Sequence, residues 1–254
     1  MNLKLMKTLC DLDKDTLKKT LVTYLKKKDY KKVIFKDDYI VAEGELPVCL
    51  IAHTDTVFDN DPMQKYIRIP QEDRWLYDSE KDILWRAYGA GFDDKAGIYS
   101  IIKILEAGYR PHIVFTDFEE VGGVGAQQLV IDYPKLPFSC DFLIELDRRG
   151  KNDAVFYDCD NWFFKKYITS FDFEESIGSF SDISFIGPIW DRAAVNLSCG
   201  YMDEHSDNER LYCNWCDETI EKVKVILDNL THTQYVYKKK NHNPTYNFDF
   251  NKKF

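Results

Sequence analysis

Three short apolar runs, each closing on residues able to hold a metal, constrain this chain more than any other feature. Val48 to Ala52 leads into His53, His112 to Phe115 leads toward Glu119 and Glu120, and Phe142 to Leu146 leads into Asp147. Runs with no polar alternation suit central strands covered on both faces, as in a largely parallel sheet. Between the first two runs lies the clearest helix, Ala96 to Ala107. Its Ile98, Ile101, Ile102 and Leu105 fall at i, i+3, i+4 and i+7, and Gly108 stands where a C-terminal cap belongs. Helices alternating with such strands predict an α/β chain, a three-layer α/β/α sandwich.

The remaining pattern fits that frame. Residues Asp13 to Lys28 predict an amphipathic helix with Leu17, Leu21, Tyr24 and Leu25 on one face. Short β-type runs are expected at Val33–Phe35, Tyr39–Ala42, Val155–Tyr157 and Ala193–Ser198, and further helices at Val124–Asp132 and Asp217–Leu230. Two or three short strands between Lys65 and Trp85 would form a meander and make the central sheet mixed. No repeat or linker is visible, so residues 1–254 are expected to form a single domain, with 238–254 as a polar C-terminal tail.

A formal charge of −9 argues against nucleic acid as a partner, since phosphate contacts need clustered Lys and Arg. The lysine-rich N-terminus has no continuous apolar core of a signal peptide, and no apolar run approaches the roughly 20 residues of a membrane span. Seven cysteines, scattered and odd in number, fit buried free thiols in a reducing cytoplasm. Cys213-Asn214-Trp215-Cys216 is formally a CxxC, but it has no second pair nearby and precedes an apolar-periodic helix.

In open α/β sheets a ligand site forms at the carboxyl ends of the strands, so groups distant in sequence can converge there. His53 and Asp55, Glu119 and Glu120, and Asp147 all stand at such ends. Asp93 and Asp94 lie in a glycine-rich turn before the strong helix, and His205 lies in a loop after Ala193–Ser198. Imidazole and carboxylate are the donors zinc accepts, and two closely spaced metals need one bridging group plus terminal ligands. A further carboxylate must remain as base, and the Glu119-Glu120 pair can supply one ligand and one base. Asp55 can orient the His53 ring. Taken singly, each residue also has a structural explanation: Asp93-Asp94 can cap a helix, and Asp147-Arg148-Arg149 can be a surface charge cluster.

The segments Ile51-Ala52-His53-Thr54-Asp55-Thr56-Val57, Gly89-Ala90-Gly91-Phe92-Asp93-Asp94-Lys95-Ala96-Gly97 and Phe118-Glu119-Glu120-Val121-Gly122 resemble the dinuclear zinc exopeptidases, which include peptidase T, aminoacylase-like enzymes and zinc aminopeptidases. Asn196 to Tyr201, followed by Glu204-His205-Ser206, is similar to the last-ligand segment of the aminopeptidase branch. The motifs occur in the family's order. The resemblance implies the zinc exopeptidase (phosphorylase/hydrolase-like) fold and two divalent ions, Zn²⁺ with Co²⁺ or Mn²⁺ as alternatives. It implies that Asp93 bridges the metals, with room for a cis Asp93–Asp94 peptide, that His53 and Asp147 complete one metal, and that Glu120 and His205 complete the other. Glu119 would be the general base and Asp55 the carboxylate that holds His53.

Departures from that family narrow the expectation. The interval from Asp147 to His205 leaves no room for the lid domain of peptidase T, and that from His53 to Asp93 holds a few short strands at most. A lidless catalytic domain is expected. Its reaction would be cleavage of a terminal peptide bond, with aminopeptidase chemistry slightly favoured. The alternatives are an amidohydrolase acting on N-acyl amino acids and a non-catalytic metal-binding descendant. Arg148 and Arg149 can clamp a substrate carboxylate, whereas Asp203, Glu204 and Asp207 can receive an α-amino group. The expected partner is a peptide or acyl-amino-acid substrate, and a homo-oligomer is compatible with the pattern.

Overall fold

A computed structural model describes residues 1–60, 75–87 and 89–240. Its centre is an eight-stranded sheet in the order β1-β2-β6-β3-β7-β10-β8-β9. The strands are β1 (Lys32–Phe35), β2 (Tyr39–Glu43), β3 (Leu46–His53), β6 (Pro111–Thr116), β7 (Phe142–Arg148), β8 (Asp153–Val155), β9 (Glu174–Ser176) and β10 (Ala194–Ser198). β6, β3, β7 and β10 run parallel, and antiparallel neighbours flank them at β2 and β8.

The apolar runs occupy the middle of that sheet because both of their faces are covered. In β3, Val48, Leu50 and Ala52 join a core with α1 (Leu3–Asp11), α2 (Lys14–Lys27), α3 (Phe92–Glu106) and α7 (Cys213–Asp228). Cys49 and Ile51, pointing the other way, join a second core with α4 (Val124–Asp132) and α6 (Ile183–Trp190). The period of two along a strand therefore feeds two cores at once. Each fully buried Leu, Ile or Val contributes about 1.5–3 kcal/mol, so these runs carry much of the fold's stability. The result is the expected three-layer α/β/α sandwich with a mixed sheet.

Caps are written locally. Asp13 accepts the Thr16 N–H at 2.9 Å to start α2, and Asn161 does the same for Phe164 at 3.2 Å at the start of α5 (Trp162–Thr169). Gly108, at φ +102°, ends the α3 region as expected.

Several elements depart from expectation. α1, α5 and α6 were not anticipated: each is short, and α6 carries Gly187 and Pro188, which mask its periodicity. β8 ends at Val155 where a strand through Tyr157 was expected, because Tyr157 turns to φ +49°. The last helix begins at Cys213, so the CxxC forms its opening turn, with both thiols buried; all seven cysteines are free and buried. The expected meander falls partly on residues outside those described. Its described part, β4 (Trp75–Asp78) and β5 (Ile83–Arg86), leaves the central sheet and joins β12 (Arg210–Tyr212) and β11 (Tyr201–Met202) in a separate antiparallel sheet. The mixed character of the central sheet comes instead from β2 and β8. The expected polar tail lies outside the described residues beyond Lys240. No helix among the described residues is long and apolar enough to cross a membrane.

Candidate metal centre

Parallel register brings the strand ends together. His53, the last residue of β3, pairs with Thr116 at the end of β6, and Leu50, three residues before His53, pairs with Ile144, three residues before Asp147. The Asp93 and Asp94 residues enter the same space from the start of α3, where both depart from helical φ/ψ and are joined by a cis peptide bond. The turn ahead of them is made by Gly89 and Gly91, at φ +82° and +71°, a region that only glycine adopts freely.

The imidazole Nε2 of His53 lies 3.1 Å from Asp93 Oδ1 and 3.4 Å from Asp147 Oδ1. The other oxygen of Asp93 lies 3.0 Å from His205 Nε2, which is also 2.9 Å from Glu120 Oε2. Asp93 is thus shared by two groups, His53–Asp93–Asp147 and Asp93–Glu120–His205, and in each the donor atoms lie within 4.8 Å of one another. Every residue expected to ligate reaches this cluster. Asp55 sits beside it with Oδ1 3.2 Å from His53 Nδ1.

The donor set fits two divalent cations. With Nδ1 facing the Asp55 carboxylate, the His53 ring turns Nε2 toward two further carboxylate oxygens. Only a proton or a cation reconciles a ring nitrogen with that environment. Glu120 Oε1 is buried without a hydrogen-bond partner, which is costly for a carboxylate unless an ion faces it. The electrostatics report the same excess of negative charge. Burial first, then Asp147, pushes the Glu119 carboxyl up to about 9. Burial, only partly offset by His53, pushes Asp147 to about 7. Hydrogen bonds to Asp93 and Glu120 lift His205 to about 11. Burial disfavours a charged His53, yet Asp147, Asp55 and Asp93 together raise it well above the ordinary imidazole range. Cation binding to such a site displaces these protons.

Several further residues shape the cluster from neighbouring elements. Asn196 brackets the backbone of Asp147: its Oδ1 accepts the Asp147 N–H at 3.0 Å and its Nδ2 donates to the Asp147 carbonyl at 3.1 Å. The hydroxyl of the buried Tyr201 donates to Asp147 Oδ1 at 3.1 Å and supports it from β11. Lys95 donates to the Thr54 carbonyl at 2.5 Å, tying α3 to the segment that carries Asp55. Ser181 donates to Glu145 and contacts Asp147 Oδ2 at 3.3 Å. Glu209, fully buried, accepts backbone N–H groups of the turn that carries Asp93. Lys95, Asn196 and Tyr201 fall within the motif segments, but spacing gives no signal for these supporting roles, because each acts across elements.

Four of the residues expected to bind substrate, Arg148, Arg149, Asp203 and Glu204, already hold ion-pair partners. Arg148 Nε and Nη2 both lie 3.3 Å from Asp153 Oδ2, and Arg149 Nη1 lies 2.7 Å from Glu204 Oε1. Asp203 pairs with Arg210 at 3.1 Å.

No protein-family model matches the sequence, and no curated protein matches it. Solved structures do. The aminopeptidase PepT of Bacillus cereus superposes with a TM-score of 0.68 at 13% identity, covering 89% of this chain and 97% of that one. A tripeptidase from Staphylococcus aureus gives 0.67 at 14% identity, covering 89% and 98%. The TET1 peptidase of Pyrococcus horikoshii gives 0.62 at 13% identity, covering 90% and 99%. At these identities the likeness concerns the fold, and the three-layer α/β/α fold of this chain is the one these peptidases share.

Proposed function

We propose that the chain is a metal-dependent exopeptidase, with aminopeptidase chemistry favoured. The observation that carries this reading is the Asp93 carboxylate shared between the two histidine-carboxylate groups. A centre of that composition, on a fold that aminopeptidases and a tripeptidase also adopt, suits hydrolysis of an amide better than structural metal binding.

His53 and Asp147 would hold one cation, Glu120 and His205 the other, with Asp93 between them. Zn²⁺ suits these ligands, and Co²⁺ or Mn²⁺ could replace it. When bound, the pair would polarise the scissile carbonyl and acidify water. Glu119 is the carboxylate left over for proton transfer. It would take the proton from the attacking water and return it to the leaving amine. Asp55 keeps the His53 ring in one orientation while fixing the backbone of the glutamate pair. Arg149, half-exposed, would engage a substrate carboxylate only by giving up Glu204. A homo-oligomer is proposed by analogy with the TET1 peptidase, described as assembling into a tetrahedron or a large octahedral shell; light scattering checks it.

The test combines metal analysis with a substrate panel. Two divalent ions per chain are expected after gentle purification, with loss of binding in His53→Ala and Asp93→Ala. Aminoacyl-arylamides and dipeptides should be cleaved, and N-acetyl amino acids left intact. Cleavage of the N-acetyl compounds alone would replace the exopeptidase reading with deacylation. Absence of any bound ion, with no cation-dependent stabilisation, would overturn the reading altogether.

A further inference from the structure

We propose that Glu209 is a positioning residue for the Asp93–Glu120–His205 cation group, a role that rests on those three residues being ligands. Its carboxylate closes over the turn ahead of α3. Oε2 accepts the N–H of Ala90 at 3.0 Å and of Gly91 at 2.6 Å, and Oε1 accepts the N–H of Asp93 at 3.0 Å. The side chain is 1% exposed and forms no ion pair among the described residues. Removing a carboxylate from water without a cationic partner costs several kcal/mol, so three amides must carry the compensation. They lie at the N-terminal end of α3, where backbone N–H groups lack helical acceptors and the helix dipole favours negative charge.

The location of Glu209 makes this clamp more than a cap. It follows His205 closely in the chain, at the end of the loop that enters β12. Its own N–H is bound to the Ser206 carbonyl at 3.2 Å, which ties the carboxylate to the residue next to His205. The His205 loop and the Asp93 turn therefore meet twice, once through imidazole and carboxylate at 3.0 Å and once through Glu209. Two ligands of one group, supplied by segments far apart in sequence, have their separation set by this buried carboxylate. The His53–Asp147 side differs. Its histidine and aspartate stand on neighbouring strands β3 and β7, whose register is fixed by the sheet itself. Loss of the clamp should thus loosen one cation far more than the other.

Glu209→Gln preserves size but sets an NH₂ against one of the three N–H donors. Cation binding by the wild type and by this variant is followed with Co²⁺, by chelator competition and by the visible absorption of the bound ion. The unfolding temperature of the metal-free proteins is measured in parallel. The expected result is two Co²⁺ in the wild type. Because Asp93 serves both groups, the variant should hold one with affinity within about twofold of wild type and bind the second at least about tenfold more weakly, as is typical when a supporting group is lost. A purely structural role would lower the unfolding temperature while leaving both affinities equal to wild type, and that result would overturn the proposal. If Glu209→Gln does not fold, Glu209→Asp, which keeps the charge and withdraws it by one methylene, is read by the same criteria. Two ions bound with wild-type affinity in the variant would sink the clamp alone. No ion in the wild type would sink the metal reading and the clamp together.

Discussion

The carboxylate of Asp55 lies against the backbone of Glu119, whose N–H it accepts at 3.1 Å. Its other oxygen accepts the N–H of Glu120 at 3.2 Å, while Oδ1 stays 3.2 Å from His53 Nδ1. One side chain at the end of β3 thus orients the imidazole and also places the two glutamates that follow β6. Hydrogen bonds and the His53 charge hold its pKa below the usual carboxylate range in spite of its burial. Asp55→Ala should therefore weaken cation binding about 10–100-fold and reduce turnover as well, since the glutamate backbone loses its anchor. Chelator competition and steady-state kinetics measure the two losses; wild-type values in both would contradict this double role.

Glu119→Gln separates base from ligand. It should keep both cations and lower kcat by about 10²–10⁴-fold, the usual worth of a positioned general base. Glu120→Gln should instead weaken the cation group that includes His205. If the two variants exchanged these phenotypes, the assignment within the pair would have to be reversed.

Acidity couples the cluster to stability. Glu119, Asp147 and His205 have folded-state pKa values raised to about 9, 7 and 11, against ordinary values near 4.3, 3.9 and 6.5. The folded, metal-free protein then holds these protons more tightly than the unfolded chain. These three groups therefore make its stability fall as pH rises from about 4 through 11. Divalent cations compensate the same charges, so the rise in unfolding temperature on adding Zn²⁺ should be larger at pH 8 than at pH 5.5. Differential scanning fluorimetry with and without chelator gives the comparison, and an equal rise at both pH values would count against the cluster as the cation site.

Gly97 reports how closely α3 packs on β7. A Cβ built there would meet the Leu146 carbonyl oxygen at 1.9 Å and the Asp94 carboxylate at 2.5 Å. The first neighbour is backbone and cannot swing aside. Gly97→Ala should destabilise the protein by about 3 kcal/mol or more, at the upper end for overpacking. Chemical denaturation monitored by tryptophan fluorescence would show it. Gly108→Ala meets no atom within 4 Å but keeps a φ of +102°, so it should cost less.

Strands β3, β6 and β7, the helix expected over Ala96 to Ala107, and the set of imidazoles and carboxylates that gather near their ends are legible in the residues alone. Such features are local: an apolar run reports that both faces are covered, and residue type reports what chemistry is available. Tertiary structure alone decided how these groups meet. The shared position of Asp93 depends on the turn before α3 and on a loop near β12 that brings in His205. The support of Asp147 by Asn196 and Tyr201, and the clamp by Glu209, arise from contacts between distant segments. The same is true of the hairpin β4–β5, whose polar-apolar pattern suits a strand in either sheet and whose choice follows from β12 lying beside it. Periodicity states which face is buried, whereas strand register and the packing of loops state what that face will touch.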